Sequence, residues 1–199
     1  MPETTQVPGR RGRPRSAASE QAVLRAALEL LAEGYGPASI TIAGIAQRAG
    51  AGKDTIYRRW QSKEDLLLDA LASRVAELDI PDGASLRDVL VLTLAEMIGR
   101  MQDDGGLIAR ALQSAGDDFP KLRARYQDTV IRRRHELVAE QVRAAAARGE
   151  LRADVDLPLI VQMPYHHVVM CALSGEPLQG DPRAVAEKLT DALLTGIAA

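Results

Sequence analysis

Cysteine is almost missing from this chain. Cys171 is the only one in 199 residues, so no disulfide can form within a chain, and a reducing compartment, the cytoplasm, is the expected setting. Aromatics are scarce, at 3% of residues, which leaves packing to Ala and Leu, the residues that helical cores prefer. No run approaches the ~18 apolar residues that suggest a membrane span, and no N-terminal apolar run suggests export. His135, His166 and His167 are the only histidines. Adjacent residues on a helix point about 100° apart, so His166 and His167 cannot easily share an ion, and no metal site is expected. A nucleophile beside a positioned base, paired carboxylates and a glycine-rich phosphate loop after a strand are absent too. Gly9 to Gly12 lies in a tail. No catalytic residue and no cofactor are therefore expected, which sets aside an enzyme.

What is present is an apolar fraction of 46%, enough for a real core, in a length that allows one or two domains. The net charge of −2 hides an asymmetry. Residues 1–63 carry 10 Lys and Arg against 5 Asp and Glu, and the remainder carries 15 against 22. A basic head on an acidic body turns one end of the molecule toward phosphate.

The stretch from Ile40 to Lys63 reads as two short helices joined by a tight turn. Thr41 can cap the first, on which Ile42, Ile45, Ala46 and Ala49 recur at helical spacing. Gly50-Ala51-Gly52 breaks it, and a glycine just past a helix end takes positive φ freely. Lys53 to Trp60 resumes the pattern, with Ile56 and Trp60 on the apolar side and Lys53, Thr55, Tyr57, Arg58 and Arg59 on the others. A helix–turn–helix needs this division, since one face holds the helix pair together and the other enters the major groove. Trp60 is expected in the core rather than on a base. Arg58 and Arg59 are the expected base readers, because a guanidinium can donate twice to guanine.

This stretch resembles the DNA-binding domain of TetR-type transcriptional repressors over roughly residues 21–71. The resemblance is carried by Thr41, Ala46, Gly50, Lys53, Thr55, Ile56, Tyr57, Trp60 and Ser62-Lys63-Glu64. It implies an all-α fold of about nine helices: a helix–turn–helix domain, a connecting helix, and a larger helical domain for ligand binding and dimerisation. It also implies DNA contacts by Thr41, Lys53, Thr55, Tyr57 and Lys63, with Tyr57 and Lys63 against phosphate. Two departures stand out. Gly52 occupies a position where a capping serine is common. Asp54 brings a negative charge that suits the helix dipole and repels phosphate.

Residues 1–16 form an expected disordered basic arm. Its Arg11-Gly12-Arg13-Pro14 resembles an AT-hook, and Arg11, Arg13 and Arg15 are candidates for a minor groove; a solvated tail adding only salt-dependent attraction is the competing reading. The helix–turn–helix domain is expected over 17–64, with a first helix from Ser19 to Gly34. A connecting helix spans 65–80, and a second domain spans 81–199. Further helices are expected over Leu86 to Gln102, Leu107 to Ala115, Phe119 to Arg148, Leu157 to Leu173 and Pro182 to Ile197. The helix from Leu157 is apolar most of the way round and needs cover on every side. Its own domain can cover one side and a second copy the other. With the helix over 182–198 it would form an intersubunit four-helix bundle, as the resemblance also implies. Pro164 should kink it.

The expected function is a DNA-binding repressor released by a small molecule of unknown identity, acting as a homodimer on a near-palindromic double-stranded operator without a membrane. An effector-independent architectural DNA-binding protein is the alternative. Met97, Met101, Leu107, Tyr126, Val130, Met163, His167 and Met170, with Leu94 and Ala111, are candidate pocket residues or plain core. Arg134 falls on an apolar stripe and needs a counter-charge. It reads as one half of a structural ion pair or as a hook for an acidic ligand.

Overall fold

A computed structural model describes residues 14–74, 80, 81, 83–114 and 119–197. Every regular element among them is helical. Four helices form the head: α1 (Pro14–Ala32), α2 (Ile42–Ala49), α3 (Lys53–Tyr57) and α4 (Lys63–Ser73). The body holds α5 (Leu86–Arg100), α6 (Gly106–Ser114), α7 (Pro120–Tyr126), α8 (Arg132–Ala147), α9 (Leu157–Leu173) and α10 (Pro182–Ile197). Helix α1 begins at Pro14, ahead of the expected Ser19. A proline is well placed there, since the first N–H of a helix has no intrahelical acceptor.

Local chemistry sets the ends of the head helices. Thr41 Oγ1 accepts from Gly44 N at 3.0 Å and opens α2. Gly50 closes it at φ 62°, a left-handed conformation that costs little without a Cβ. Ser62 Oγ accepts from Asp65 N at 3.1 Å and opens α4. Helix α3 ends at Tyr57, three residues before the expected Trp60, although Arg58 N and Trp60 N still donate to Asp54 O and Ile56 O at 3.0 Å. The head core is Val23, Ala27, Leu31, Ile40, Ile45, Ile56, Trp60, Leu66, Leu67 and Leu71, and Ile108, Ala111 and Leu122 of the body join it. Body helices α6 and α7 are thus seated on the head. The expected course of the connecting helix beyond Arg74 falls on residues 75–79, outside the described ones.

A second core joins α5, α8, α9 and α10 through Val89, Leu90, Leu94, Val138, Val142, Ile160, Val168 and Ala186. Ser85 and Asp88 cap α5 reciprocally. Helix α9 runs from Leu157 to Leu173 with Pro164 buried inside it. Two wide turns interrupt the helices: a kink at Met101–Gly105 between α5 and α6, and a π-type turn at Gln127–Ile131 between α7 and α8. Asp103 in the first turn leaves helical geometry at ψ −116°. An extra residue per turn opens a helix laterally and often marks a functional site.

Core truncation gives a direct check on this packing. Leu67 is fully buried in the head, and Leu67→Ala should cost about 2–5 kcal/mol, seen as a large fall in the urea midpoint.

Candidate functional site

The outer face of α3 carries Lys53 and Tyr57, and Arg58 and Arg59 follow in the turn at its end; all four are exposed, while Ile56 on the other side of α3 is fully buried. Thr55 is half-buried beside them. Tyr57 is 59% exposed, a large exposure for an aromatic without a partner element. Trp60 is buried, and its indole N–H donates to Asp69 Oδ2 at 2.9 Å. That bond satisfies the polar edge and holds the residue in the core. Arg59 Nη2 lies 2.6 Å from Glu20 Oε2 of α1. Both partners are more than a third exposed, so the pair adds little stability. Thr41 is exposed and occupied as the α2 cap. Asp54 is exposed in the first turn of α3.

Lys63, expected against phosphate, is engaged within the DNA-free protein. Its ammonium donates to Pro37 O at 2.6 Å and Ile40 O at 2.8 Å, and lies 5.1 Å over the Phe119 ring. Burial pushes its pKa below the usual lysine range. A four-carbon stem lets the charge reach carbonyls left unpaired in the turn between α1 and α2. Lys63 therefore ties that turn to the start of α7. Arg11 and Arg13 lie outside the described residues. Arg15 lies in the first turn of α1, and its side chain is outside them too.

A cavity of about 640 Å³ opens between the head and α5 to α9. Its apolar wall includes Met97, Met101, Ile108, Leu112, Leu122 and Val169, and both wide turns border it. Of the expected pocket residues, Met97, Met101, Tyr126 and Arg134 line it. Leu107 instead faces solvent, and its neighbour Ile108 turns inward. Met163, His167 and Met170 also point outward, while Gln162, Tyr165, His166 and Val169 of α9 face the cavity. One residue of rotation, about 100°, separates the two sets. A helix apolar on every side gives no periodicity from which to fix that register. Leu94 and Ala111 are core. The side chain of Val130 lies outside the described residues.

The cavity floor is polar. Tyr165 Oη donates to Thr93 Oγ1 at 2.5 Å, and the Thr93 hydroxyl is bonded in turn to Val89 O at 2.7 Å. Burial pushes the Tyr165 phenol up to about 12. His135 stacks obliquely on Tyr165 with ring centroids 5.5 Å apart. Burial, then the nearby His166 and Arg134, lower its pKa and hold it neutral at physiological pH. Arg134 carries the counter-charge its position demanded: Nη2 lies 2.5 Å from Glu96 Oε2. Two ion pairs reach from this region to the head. Arg74 of α4 pairs with Asp104 in the first wide turn, and Arg125 of α7 donates to Asp65 of α4 at 2.5 Å.

Two variants probe this wall. At Gly105 an added Cβ would sit 2.4 Å from the Arg100 carbonyl oxygen. The obstacle is backbone, so Gly105→Ala should distort the wide turn and lower the melting temperature by several degrees, measurable by circular dichroism. Tyr165 supplies a pH signature. Its folded pKa lies above its unfolded value of about 10, so its contribution to stability is complete below pH 10 and is lost as pH rises towards 12. Tyr165→Phe should flatten that alkaline loss in urea titrations.

No group of three or more His, Cys, Asp or Glu side chains gathers at a metal-binding distance among the described residues, and none of their helices is long and apolar enough to cross a membrane.

Comparison with known proteins agrees with this geometry. Residues 23–70 match the family model described as bacterial regulatory proteins, tetR family, and residues 80–193 match that of the tetracyclin repressor-like C-terminal domain. An uncharacterised HTH-type transcriptional regulator of Bacillus subtilis, YdeS, is 31% identical over 78% of this chain and 79% of its own length. The HTH-type transcriptional regulator AqdR of Rhodococcus erythropolis is 29% identical over 77% and 73%. Among solved structures, Bacillus subtilis FadR in complex with stearoyl-CoA superposes with a TM-score of 0.71 at 20% identity, covering 89% of this chain and 98% of that one. TylP, a TetR regulator of Streptomyces fradiae, gives 0.66 at 23%, covering 93% and 89%. A head built to present α3, a helical body around a cavity and matches along both halves lead to one conclusion: the chain belongs to the TetR family of helix–turn–helix transcriptional regulators.

Proposed function

We propose that this regulator is a dimeric repressor that leaves its operator when a small molecule fills the cavity between head and body. The observation that carries the reading is the wall the cavity shares with the head core: Ile108 and Leu122 line the one and belong to the other. A ligand that spreads α6 from α7 must move the surface on which α1 and α4 rest. The Arg74–Asp104 and Arg125–Asp65 pairs carry that shift to α4. Release then requires the ligand to bind one head position better than the other. This cavity favours a ligand-responsive regulator over an architectural protein without an effector.

The dimer reading rests on α9. Leu159, Met163 and Met170 are 58%, 49% and 64% exposed, and they stand on one outward face. An apolar stripe of this kind marks an interaction surface, and a second copy across a two-fold axis covers it with itself. Two heads then face successive turns of one duplex, and the operator is a near-palindrome. Lys53, Thr55, Tyr57, Arg58 and Arg59 are assigned to DNA, with the arm's Arg11 and Arg13 in the adjacent minor groove and Arg15, in the first turn of α1, beside them. A cytoplasmic site of action fits this chemistry, and no catalytic step is assigned.

Fluorescence anisotropy on a labelled duplex tests the reading. Binding should weaken steeply with salt, and deleting residues 1–13 should lower affinity and reduce the slope by about 0.9 per lost phosphate contact. Failure to bind any duplex at low ionic strength would overturn it, and an unchanged slope would remove the arm.

A further inference from the structure

The cavity wall is cationic in an apolar setting. Five arginines border it: Arg123 and Arg132 are exposed, Arg132 being paired with Asp128, while Arg74, Arg100 and Arg134 are largely withdrawn from solvent. Two carboxylates stand near them, Asp104 beside Arg74 and Glu96 between Arg100 and Arg134, with Arg100 Nη1 3.9 Å from Glu96 Oε1. The three least exposed guanidinium groups thus share two carboxylates and leave one positive charge in excess among them. The excess is buried. Arg134 is only 7% exposed, and its Nη1 has no hydrogen-bond partner among the described residues; neither does the buried Arg100 Nε, while Arg134 Nη2, Glu96 Oε2 and Asp104 Oδ1 make no hydrogen bond of good geometry but do stand in ion pairs. Burial also lowers the Arg100 pKa, a sign that its charge is poorly solvated where it stands. Charged donors buried without acceptors are rare in folded proteins and point to a function.

We propose that the cavity takes an apolar molecule ending in a single carboxylate. Its oxygens accept from Arg134 Nη1 and Arg100 Nε, and its body lies along Met97, Met101, Ile108 and Leu122. The inference rests on the ligand-responsive reading above and names the ligand's chemical class. A planar carboxylate fits the guanidinium fork. One negative charge cancels the excess, a neutral head leaves it, a cation adds to it, and a dianion overshoots. The flexible methionines suit an adaptable apolar wall. Arg134 belongs to α8 and Arg100 borders the wide turn before α6, so the headgroup lies beside the turn that Arg74 ties to the head.

Calorimetric titration of the DNA-free, full-length protein tests this with four probes of one chain length: decanoate, decan-1-ol, decylamine and decyl phosphate. Decanoate should bind at least about tenfold tighter than decanol, and decylamine weakest. Arg134→Gln removes the excess positive charge and leaves Glu96 paired with Arg100, so no lone buried ion remains. It should keep decanol binding and lose the preference for decanoate. Arg134→Lys keeps the charge without the fork, and should weaken decanoate several-fold while leaving decanol unchanged. Equal binding of decanoate and decanol, tighter binding of decylamine or decyl phosphate, no binding at all, or a preference that survives Arg134→Gln would overturn the assignment. DNA is absent from these titrations, so their failure leaves operator binding standing, and failure of operator binding leaves them readable.

Discussion

Arg59→Ala should reduce affinity for the operator between about thirtyfold and twenty-thousandfold while barely changing affinity for random duplex. A bidentate guanine contact is worth about 1–3 kcal/mol, and a two-fold dimer makes each such contact twice, so the loss is about 2–6 kcal/mol. Non-specific binding draws on phosphate attraction spread over many cations and should fall only modestly. The ion pair between Arg59 and Glu20 in the DNA-free protein does not confuse the result. Both side chains are more than a third exposed, and such a pair contributes about 0–1 kcal/mol, so the melting temperature should hold. Equal losses on specific and random duplexes, measured by anisotropy in one buffer, would remove Arg59 as a base reader and leave it a phosphate contact. Arg58→Ala, at the other exposed guanidinium of the pair, is the companion measurement.

Met163→Arg should turn the dimer into a monomer and cost most of the operator affinity. Met163 is half-exposed at the middle of the α9 stripe. In a self-complementary interface the new charge appears twice near the axis, where both copies are desolvated without partners. A monomer holds one half-site and loses the gain from simultaneous engagement, a factor of about 10²–10⁴. Light scattering at micromolar concentration reads the mass, and circular dichroism shows that the fold is kept. A variant that remains a dimer with unchanged operator binding would move the interface off α9.

Much of this was legible before the structure. The head was the clearest part, because its apolar spacing, the Gly50 stop and the Thr41 and Ser62 caps all specify the same geometry. Thr41 and Ser62 do cap α2 and α4, Gly50 does take a left-handed φ, and Trp60 is buried with its N–H satisfied. The expected limits of α9 and α10, Leu157 to Leu173 and Pro182 to Ile197, are the observed ones.

Three things could not be read from the sequence, each for a physical reason. The register of α9 was one, since apolar residues on every side leave no moment, and Met163, His167 and Met170 were turned about 100° from their true direction. The origin of the cavity was another. Pro164 was the visible irregularity, yet α9 is continuous through it. The space opens beside wide turns at Met101–Gly105 and Gln127–Ile131, and their only local sign was the Asp103-Asp104-Gly105-Gly106 run. The third was Lys63, whose resemblance to a phosphate contact gave no hint that loop carbonyls lay within reach of its long stem. Arg134 was legible in outline. Its place on an apolar stripe required a counter-charge, and only the fold shows that Glu96 supplies it with one guanidinium nitrogen left over.

The central claim is that α3 reads a duplex and that paired subunits set the spacing of the reading. Selection of bound sequences from a random duplex pool addresses it most directly. The account predicts enrichment of one near-palindrome whose half-sites are about one helical turn apart, bound by the wild type and abandoned by Arg59→Ala. A pool that stays random after repeated rounds, or an enriched site without two-fold symmetry, would contradict it.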